Sequence, residues 1–306
     1  MLPASAIKII SQQVDKFVLY AMNRQIPDSL NESYHDSFSL EEVLAGTLIN
    51  RSKTAIYSLT APGEHPVWLK TTSGEILCHV KVRPAVAPRA PLLLYHHGFA
   101  EMPFTSTWSR LIPKHKPFPA HSVCVQAPYH NSLSEPFNTG FSSVQHLYQM
   151  FAGSLRIMQL LQEQFEGEGA AFTIVSGLSW GGITSLLYEG IFQQSRAAIP
   201  MFSSPNLAQV LLDAADNQNR TLPVPRETVD DLFNFTPYYE RCDKARVFPI
   251  LGKDDLFFRY DAHAKIFPEE TLVTLPAAHV GAMWHTNQEI RQRVIEIMVW
   301  AAQHPR

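Results

Sequence analysis

The sequence predicts an α/β protein in which helices wrap both faces of a mostly parallel sheet. Three observations lead to this class. Beyond residue 65, strand-like and helix-like segments alternate along the chain. The later strand candidates are short, continuous apolar runs, as expected for strands that are covered on both faces. The helix candidates between them carry apolar residues at helical spacing, which gives each helix a face to pack on the sheet.

The chain begins with a segment that we interpret as an N-terminal helical extension, residues 1–60, ahead of a main domain at 61–306. Apolar residues recur at helical spacing near its start, and we expect this apolar face to pack on the main domain. A dimer contact or a membrane-surface role is the alternative, although the opposite face lacks the basic cluster of a membrane-surface helix. The face consists of Ile7, Ile10, Val14, Phe17, Val18 and Ala21.

Eight strand candidates follow in chain order. The first two, at 65–71 and 75–82, have no helix between them, so this edge of the sheet is expected to be an antiparallel hairpin. The next six alternate with helical segments, which implies parallel pairing through right-handed crossovers. These six lie at 91–98, 122–128, 171–177, 197–204, 246–252 and 271–277.

Two long amphipathic helices are predicted at 141–165 and 287–302, each with one apolar stripe. Residues 205–245 are too long for a single crossover, and we interpret them as a mostly helical, lid-like insertion over the sheet edge. The apolar and aromatic residues of this insertion suit an acyl pocket or simple packing on the sheet, and the sequence favours neither.

Composition limits the partners and the compartment. The formal net charge of -3 leaves no basic excess, so nucleic acid is not expected as a partner. Cys78, Cys124 and Cys242 are widely spaced and form neither a disulfide framework nor a metal knuckle. Charged residues interrupt the N-terminal apolar run, and no window reaches the roughly 20 apolar residues of a membrane span. We therefore expect a soluble, cytoplasmic protein.

One serine stands at a strand-to-helix corner. The run "FTIVSGLSWGG" passes from an apolar strand into a helix and places Ser179 between Gly177 and Gly181, in a G-x-S-x-G pattern. Glycines at these positions let the strand and the helix approach closely, which leaves the serine hydroxyl exposed above the strand ends. The pattern predicts that Ser179 is a nucleophile.

A serine nucleophile needs a base and a group that orients the base. Both types follow in the chain order Ser, Asp, His, each just beyond a strand: Asp254 and Asp255 in "GKDD", and His279 in "AAHVG". Because the carboxyl ends of parallel strands lie at one edge of the sheet, these side chains are expected to meet near Ser179. Asp255 is preferred as the acid, since Asp254 suits capping of the following segment.

Other histidines compete for the role of base. His285 is the next choice after His279, whereas His263 falls inside a helix-like run and His130 ends another strand, where it could line the cleft. His96 and His97 are adjacent, so their rings are expected to point to opposite sides of an extended strand, and no metal site is predicted. We expect His97 to hold its loop through side-chain hydrogen bonds.

Stabilisation of an oxyanion requires backbone N–H donors near the nucleophile. The residue after Ser179 supplies one, and the loop after the strand "LLLYH" is placed to supply the other. We predict the amides of Trp180 and Phe99 for this role. No residue indicates a cofactor, because "GLSWGG" matches neither G-x-G-x-x-G nor a phosphate loop.

The order of "HHGF", "GLSWGG", "GKDD" and "AAHVG", each after a strand, resembles the α/β-hydrolase superfamily over residues 65–303. The resemblance implies an eight-stranded sheet and a serine hydrolase. It also implies these roles: Ser179 as nucleophile, Asp255 as acid, His279 as base, and the amides of Phe99 and Trp180 as oxyanion donors.

Hydrolysis of a small carboxylic ester is the leading expectation. A peptidase or thioesterase with the same triad is the alternative, as is a non-catalytic binding protein that kept the fold. The sequence does not distinguish among the acyl leaving groups.

Overall fold

The computed structural model describes residues 4–25, 38–87, 89–217 and 219–306, and nine strands of this part of the chain join in one sheet. Of the first three strands in the chain, one is short and the other two form the edge hairpin. In chain order the strands are β1 (Leu48–Ile49), β2 (Gly63–Thr71), β3 (Gly74–Arg83), β4 (Leu92–His96), β5 (His121–Val125), β6 (Thr173–Leu178), β7 (Ala197–Met201), β8 (Ile250–Gly252) and β9 (Val273–Leu275).

The spatial order of the strands is β1-β2-β3-β5-β4-β6-β7-β8-β9. Strands β1, β2, β3 and β5 pair antiparallel, and the pairs from β5 through β4 to β9 are parallel. The predicted fold class, with its edge hairpin and parallel body, is therefore confirmed. The predicted eight strands correspond to β2–β9, and β1 is an addition of two residues that pairs with β2, in register Leu48 with Lys70.

Helices cover both faces of the sheet. In chain order they are α1 (Ala4–Gln25), α2 (Leu40–Ala45), α3 (Ser106–Leu111), α4 (Val144–Gly167), α5 (Trp180–Phe192), α6 (Leu207–Asn217), α7 (Arg226–Phe233), α8 (Thr236–Tyr239), α9 (Tyr260–His263), α10 (Ala282–His285) and α11 (Asn287–Gln303). Short 3₁₀ turns lie at Ile56–Ser58, Lys244–Arg246 and Ala264–Ile266, and one π-helical turn lies at Pro136–Gly140.

The alternation of side chains along each strand produces two separate cores. Leu92 and Leu94 of β4 face one core, which is closed by α4 and α5, while Leu93 and Tyr95 face the other, which is closed by α3 and α11. Because both faces of the sheet are covered, β4, β5, β6 and β7 are buried at every position.

The segment 205–245 contains α6, α7 and α8. Phe233, Phe235 and Tyr239 are buried in the core, so much of its aromatic content packs on the sheet side. Helix α6 contributes both to this core, through Ala208 and Leu212, and to the wall of the cavity described below, through Val210 and Leu211. Movement of this segment as a lid, and a domain boundary near residue 60, stay predictions.

Helix α1 meets the rest of the protein through only part of the predicted face. Val18 packs against the core as expected, whereas Ile10 is 52% exposed and Phe17 is 70% exposed. Asp15, which was not part of the predicted face, is buried. The face that meets the rest of the protein is therefore selected by polar contacts as well as by apolar burial.

Cys78, Cys124 and Cys242 are all buried free thiols. Burial raises the pKa of each thiol, which keeps these side chains in the neutral form of a small apolar residue. Within the described ranges, the helices are all too short or too polar to cross a membrane.

Candidate active site

Ser179 occupies the single residue between the end of β6 and the start of α5. Its backbone has φ +55° and ψ -115°, which is a strained conformation for a residue with a side chain. A Cβ atom at Gly177 would collide with the backbone of Gly181, and one at Gly181 would collide with the carbonyl of His96. Both positions therefore require glycine, and the tight turn presents Ser179 at the carboxyl edge of the sheet.

The His279 ring lies between Ser179 and Asp255. Its Nε2 atom is 2.9 Å from Ser179 Oγ, and its Nδ1 atom is 2.8 Å from Asp255 Oδ2. A carboxylate only accepts, so Nδ1 carries the proton and Nε2 of the neutral ring accepts from the serine hydroxyl. The structure thus brings together three distant side chains, since Ser179 is 100 residues and Asp255 is 24 residues from His279 in the chain.

Asp255 is fully enclosed and has every carboxylate oxygen occupied. Its Oδ1 atom accepts hydrogen bonds from the amides of Phe257 and Phe258, at 2.7 and 2.9 Å. Both phenyl rings stack on the imidazole of His279, with ring centroids 4.4 and 5.7 Å away. Asp254 points elsewhere, to Lys8 Nζ of α1 at 2.6 Å. Of the two candidate acids, only Asp255 touches the histidine.

The charges around His279 favour its protonated form. Burial alone would lower the pKa of this imidazole, but the charge and hydrogen bond of Asp255, with the charge of Asp15, raise the pKa above its usual value. A base with a raised pKa binds a proton more firmly. The arrangement therefore suits transfer of a proton from Ser179 to His279.

Asp15 was not among the residues singled out from the sequence. Its carboxylate, on α1, accepts hydrogen bonds from the amides of His279 and Val280, both at 2.9 Å, and of Leu256 at 3.4 Å. The only signal in the sequence is an acidic residue placed among the apolar positions of a helix. Its partners lie more than 240 residues away, so local pattern could not identify them.

Phe99 and Trp180, whose amides are the predicted oxyanion donors, both line the same cavity as Ser179. Neither amide has a hydrogen-bond acceptor among the residues that the structure describes. Glu101 holds the first of these loops, since its carboxylate accepts from the amides of Gly98 and Thr107 at 3.0 and 2.6 Å. Burial raises the pKa of Glu101 to about 7. The predicted oxyanion role requires donors without another acceptor, and both N–H groups meet this requirement.

Three further buried histidines support the loop of Phe99. His97 donates to the carbonyl of Gly98 and accepts from the amide of Ala127 at 2.9 Å, which confirms its predicted loop-holding contacts. His130 accepts from the amide of Ala100 at 3.2 Å. His96 bonds Ser154 Oγ at 2.8 Å.

The expected orientation of His96 and His97 is wrong, because their rings stack with centroids 5.0 Å apart. Strand β4 ends at His96, so strict alternation no longer applies to His97. The other candidate bases lie away from Ser179: His263 bonds Ser204 Oγ, and His285 is an exposed residue at the end of α10. In the described ranges, no three His, Cys, Asp or Glu side chains cluster closely enough to hold a metal ion.

A cavity of about 230 Å³ opens beside Ser179 and His279. Its walls are almost entirely apolar, and they come from both faces of the site. The apolar lining residues are Val18 and Leu19 of α1, Leu207, Val210, Leu211 and Ala214 of α6, and Phe99, Phe141, Leu178, Trp180, Ile183, Phe257, Phe258 and Val280 of the main sheet and its loops.

The fold has solved counterparts. The structure is similar to an acetyl xylan esterase from Paenibacillus sp. R4, with 13% identity, 89% of this chain and 95% of that chain covered, and a TM-score of 0.56. It is also similar to Est1E from Butyrivibrio proteoclasticus with bound ferulic acid, with 12% identity, 73% and 96% covered, and a TM-score of 0.55. A putative lipase from Acinetobacter baumannii AYE has 15% identity, 87% and 98% covered, and a TM-score of 0.51.

The chain has the α/β-hydrolase fold. The predicted resemblance to this superfamily is therefore confirmed at the level of the fold. No family model matches the sequence, and no curated protein matches it. With identities of 11 to 15% among such structural neighbours, the α/β-hydrolase fold is what these proteins share with the chain, and the chemistry must be argued from its own residues.

Proposed function

We propose that this α/β-hydrolase-fold protein is a serine hydrolase that cleaves carboxylic esters through an acyl-enzyme. The observation that carries the proposal is the continuous hydrogen-bonded chain from Ser179 Oγ to His279 and on to Asp255, with distances of 2.9 and 2.8 Å. The geometry matches what an activated serine requires: a base within hydrogen-bond reach and an acid that orients the base.

In the first half of the proposed reaction, Ser179 Oγ attacks the ester carbonyl carbon while its proton passes to His279 Nε2. The carbonyl oxygen becomes an oxyanion and takes hydrogen bonds from the amides of Phe99 and Trp180. Asp255 stays ionised and stabilises the imidazolium. When the C–O bond breaks, the electron pair leaves with the alkoxide, and His279 returns the proton to it.

In the second half, water takes the place of the alcohol. His279 Nε2 removes a proton from the water, the resulting hydroxide attacks the acyl carbon, and the same two amides hold the second oxyanion. Collapse of this intermediate breaks the bond to Ser179 Oγ, which recovers its proton from His279. The products are a carboxylic acid and an alcohol, and the enzyme returns to its starting state.

The cavity supports an ester with an apolar group on at least one side of the carbonyl. Its walls offer side chains such as Leu19, Phe141 and Leu211, and few polar groups besides Glu101 and Thr107. Apolar walls gain free energy by taking apolar surface out of water, whereas a charged substituent would lose its hydration there. No cofactor takes part in the proposed steps.

The proposal is tested by mass spectrometry of the intact protein after exposure to a fluorophosphonate. Wild type should gain one adduct, and Ser179→Ala should gain none, because the probe reacts only with an activated serine hydroxyl. Ser109→Ala removes an exposed serine of α3 and should label like wild type.

Unlabelled wild type with a cooperative thermal melt would contradict the proposal and favour a non-catalytic binding protein. Labelled wild type would then be assayed on p-nitrophenyl esters of increasing acyl length and on the matched thioesters and anilides. A preference for the thioester or anilide would retain the serine mechanism and change the substrate class to that of a thioesterase or peptidase.

A further inference from the structure

Helix α1 places a carboxylate directly behind the loop that carries His279. Asp15 has no exposed surface, and its Oδ1 and Oδ2 atoms accept from the amides of Val280 and His279, each at 2.9 Å. The longer bond from the Leu256 amide, at 3.4 Å, ties the same carboxylate to the loop of Asp255. One side chain of α1 thus joins the backbones of the two loops that hold the base and its acid.

The burial of this charge has a cost. Removal of a carboxylate from water is unfavourable, and burial raises the pKa of Asp15 while the charge of His279 and the backbone N–H bonds lower it. The donors occupy both carboxylate oxygens, and an asparagine has only one accepting oxygen, so its NH2 group would face one of the N–H groups. The contact therefore needs a carboxylate, and the loops of the site enclose its charge.

The electrostatic surroundings give this charge a second role. The charged or titratable groups that act on Asp15 are His279, which favours its ionised form, and Asp255, which opposes it. Those that act on His279 are Asp255 and Asp15, and both favour the imidazolium. Lys8 of the same helix is engaged with Asp254, so it does not neutralise Asp15.

We propose that Asp15 is a positioning residue, which fixes the backbone of His279 opposite Ser179 and, with Asp255, stabilises the imidazolium formed during the reaction. This inference rests on the proposed serine hydrolase function. It gives α1 a direct part in the site, because the same helix also places Val18 and Leu19 in the cavity wall. Asp15 itself does not line the cavity, so it acts on the base and not on the substrate.

The test compares Asp15→Asn with wild type in kcat, KM and the pH profile of kcat/KM on one p-nitrophenyl ester. Asn keeps the size and one accepting oxygen, but it removes the charge and the second acceptor. We expect kcat to fall about 10- to 100-fold, as for a misplaced or less stabilised base, with KM unchanged. Because the pKa of His279 would fall without the Asp15 charge, the acid limb of kcat/KM should move to lower pH.

Asp254→Asn is the matched control. This substitution removes one carboxylate from the loop that carries Asp255, together with the ion pair to Lys8 of α1. Asp254 itself does not touch His279. Its acid limb and kcat should stay close to those of wild type. Asp15→Glu, which keeps the charge, should return the acid limb toward the wild-type position.

An unshifted acid limb in Asp15→Asn would overturn the proposal even if kcat falls, since a purely structural contact lowers activity at every pH alike. If Asp15→Asn does not melt cooperatively, the smaller Asp15→Ser replaces it, and failure of both to fold would also overturn the proposal, because Asp15 would then act on the fold. Failure of the proposed function is a separate outcome, seen as wild type that neither labels with fluorophosphonate nor cleaves esters.

Discussion

Two sets of buried histidines, His279 alone and the group of His96, His97 and His130, differ in what surrounds them. His279 has the carboxylates of Asp255 and Asp15 as neighbours, and their charges raise its pKa despite burial. The other three are also buried, but their ring nitrogens bond backbone groups and a hydroxyl. Neighbouring charge, and not burial alone, therefore separates the proposed base from a structural support.

In the second set, both ring nitrogens of each neutral imidazole make hydrogen bonds. His130 donates from Nδ1 to the carbonyl of Pro128 at 2.8 Å and accepts at Nε2 from the amide of Ala100. Protonation would turn the accepting nitrogen into a donor and break that bond. Burial lowers the pKa of His96 to about 3 and that of His130 to about 4, and burial also lowers the pKa of His97. These rings stay neutral, and they support the loop of Phe99.

The largest expected effect comes from His279→Gln. Glutamine can still donate toward Asp255, but it cannot accept a proton from Ser179, so kcat on a p-nitrophenyl ester should fall by about 10⁴-fold or more. Steady-state kinetics with a fluorophosphonate titration of active serine would measure the loss. Retention of a tenth of the wild-type kcat would show that His279 is not the base and would remove the contrast between the two sets.

A smaller effect is expected from His130→Phe, which keeps a planar ring but leaves the Ala100 amide and the Pro128 carbonyl without partners. Each orphaned buried group costs about 1–3 kcal/mol of stability. Displacement of the Phe99 amide should lower kcat by about 10-fold. The acid limb of kcat/KM should not move, since the charges around His279 are unchanged. A shifted limb would mean that the two sets are coupled and would break the comparison.

The smallest effect concerns stability against pH. The folded-state pKa of His130 lies near 4, below the ordinary value of 6.5, so between these limits the unfolded chain binds a proton that the folded protein does not. This group therefore contributes stability above pH 6.5 that is lost as pH falls toward 4, by about 1.4 kcal/mol per pH unit at most.

The measurement is the free energy of unfolding in urea at several pH values, for wild type and for His130→Phe. The difference in free energy of unfolding between the two proteins should narrow as pH falls, because only wild type has His130, whose protonation favours the unfolded chain. The difference also cancels the contribution of Glu101, whose raised pKa acts in the opposite direction and is common to both proteins. A constant difference across this range would indicate that His130 is protonated in the folded protein.

Much of the sheet could be predicted because its strands are continuous apolar runs that end at glycine or a turn. The run that contains β6, for example, identifies both a strand and the corner at Ser179. Strand β1 could not be predicted, since its two residues form no pattern and it exists only by pairing with β2. Edge pairing of this kind depends on the neighbour and not on the segment itself.

The site likewise contains residues that the sequence predicts and one that it does not. Strand order places Ser179, Asp255 and His279 at one edge before any coordinates are known, because parallel strands end together. Asp15 escaped prediction because helical periodicity identifies apolar faces, and it treats a charge on such a face as an interruption. The exposure of Phe17 shows the limit of that rule, since α1 buries its acidic residue and leaves this phenyl ring in solvent.

The bond between Asp15 and the amide of His279 spans 264 residues. The ribosome makes Asp15 long before His279 and Val280, so two of the three amides that bind this carboxylate do not exist while the residues between them are being made. Long-range contacts of this kind form slowly in folding. A chain that stops before residue 279 would lack the proposed base, and Asp15 would keep only the amide of Leu256 among these three donors.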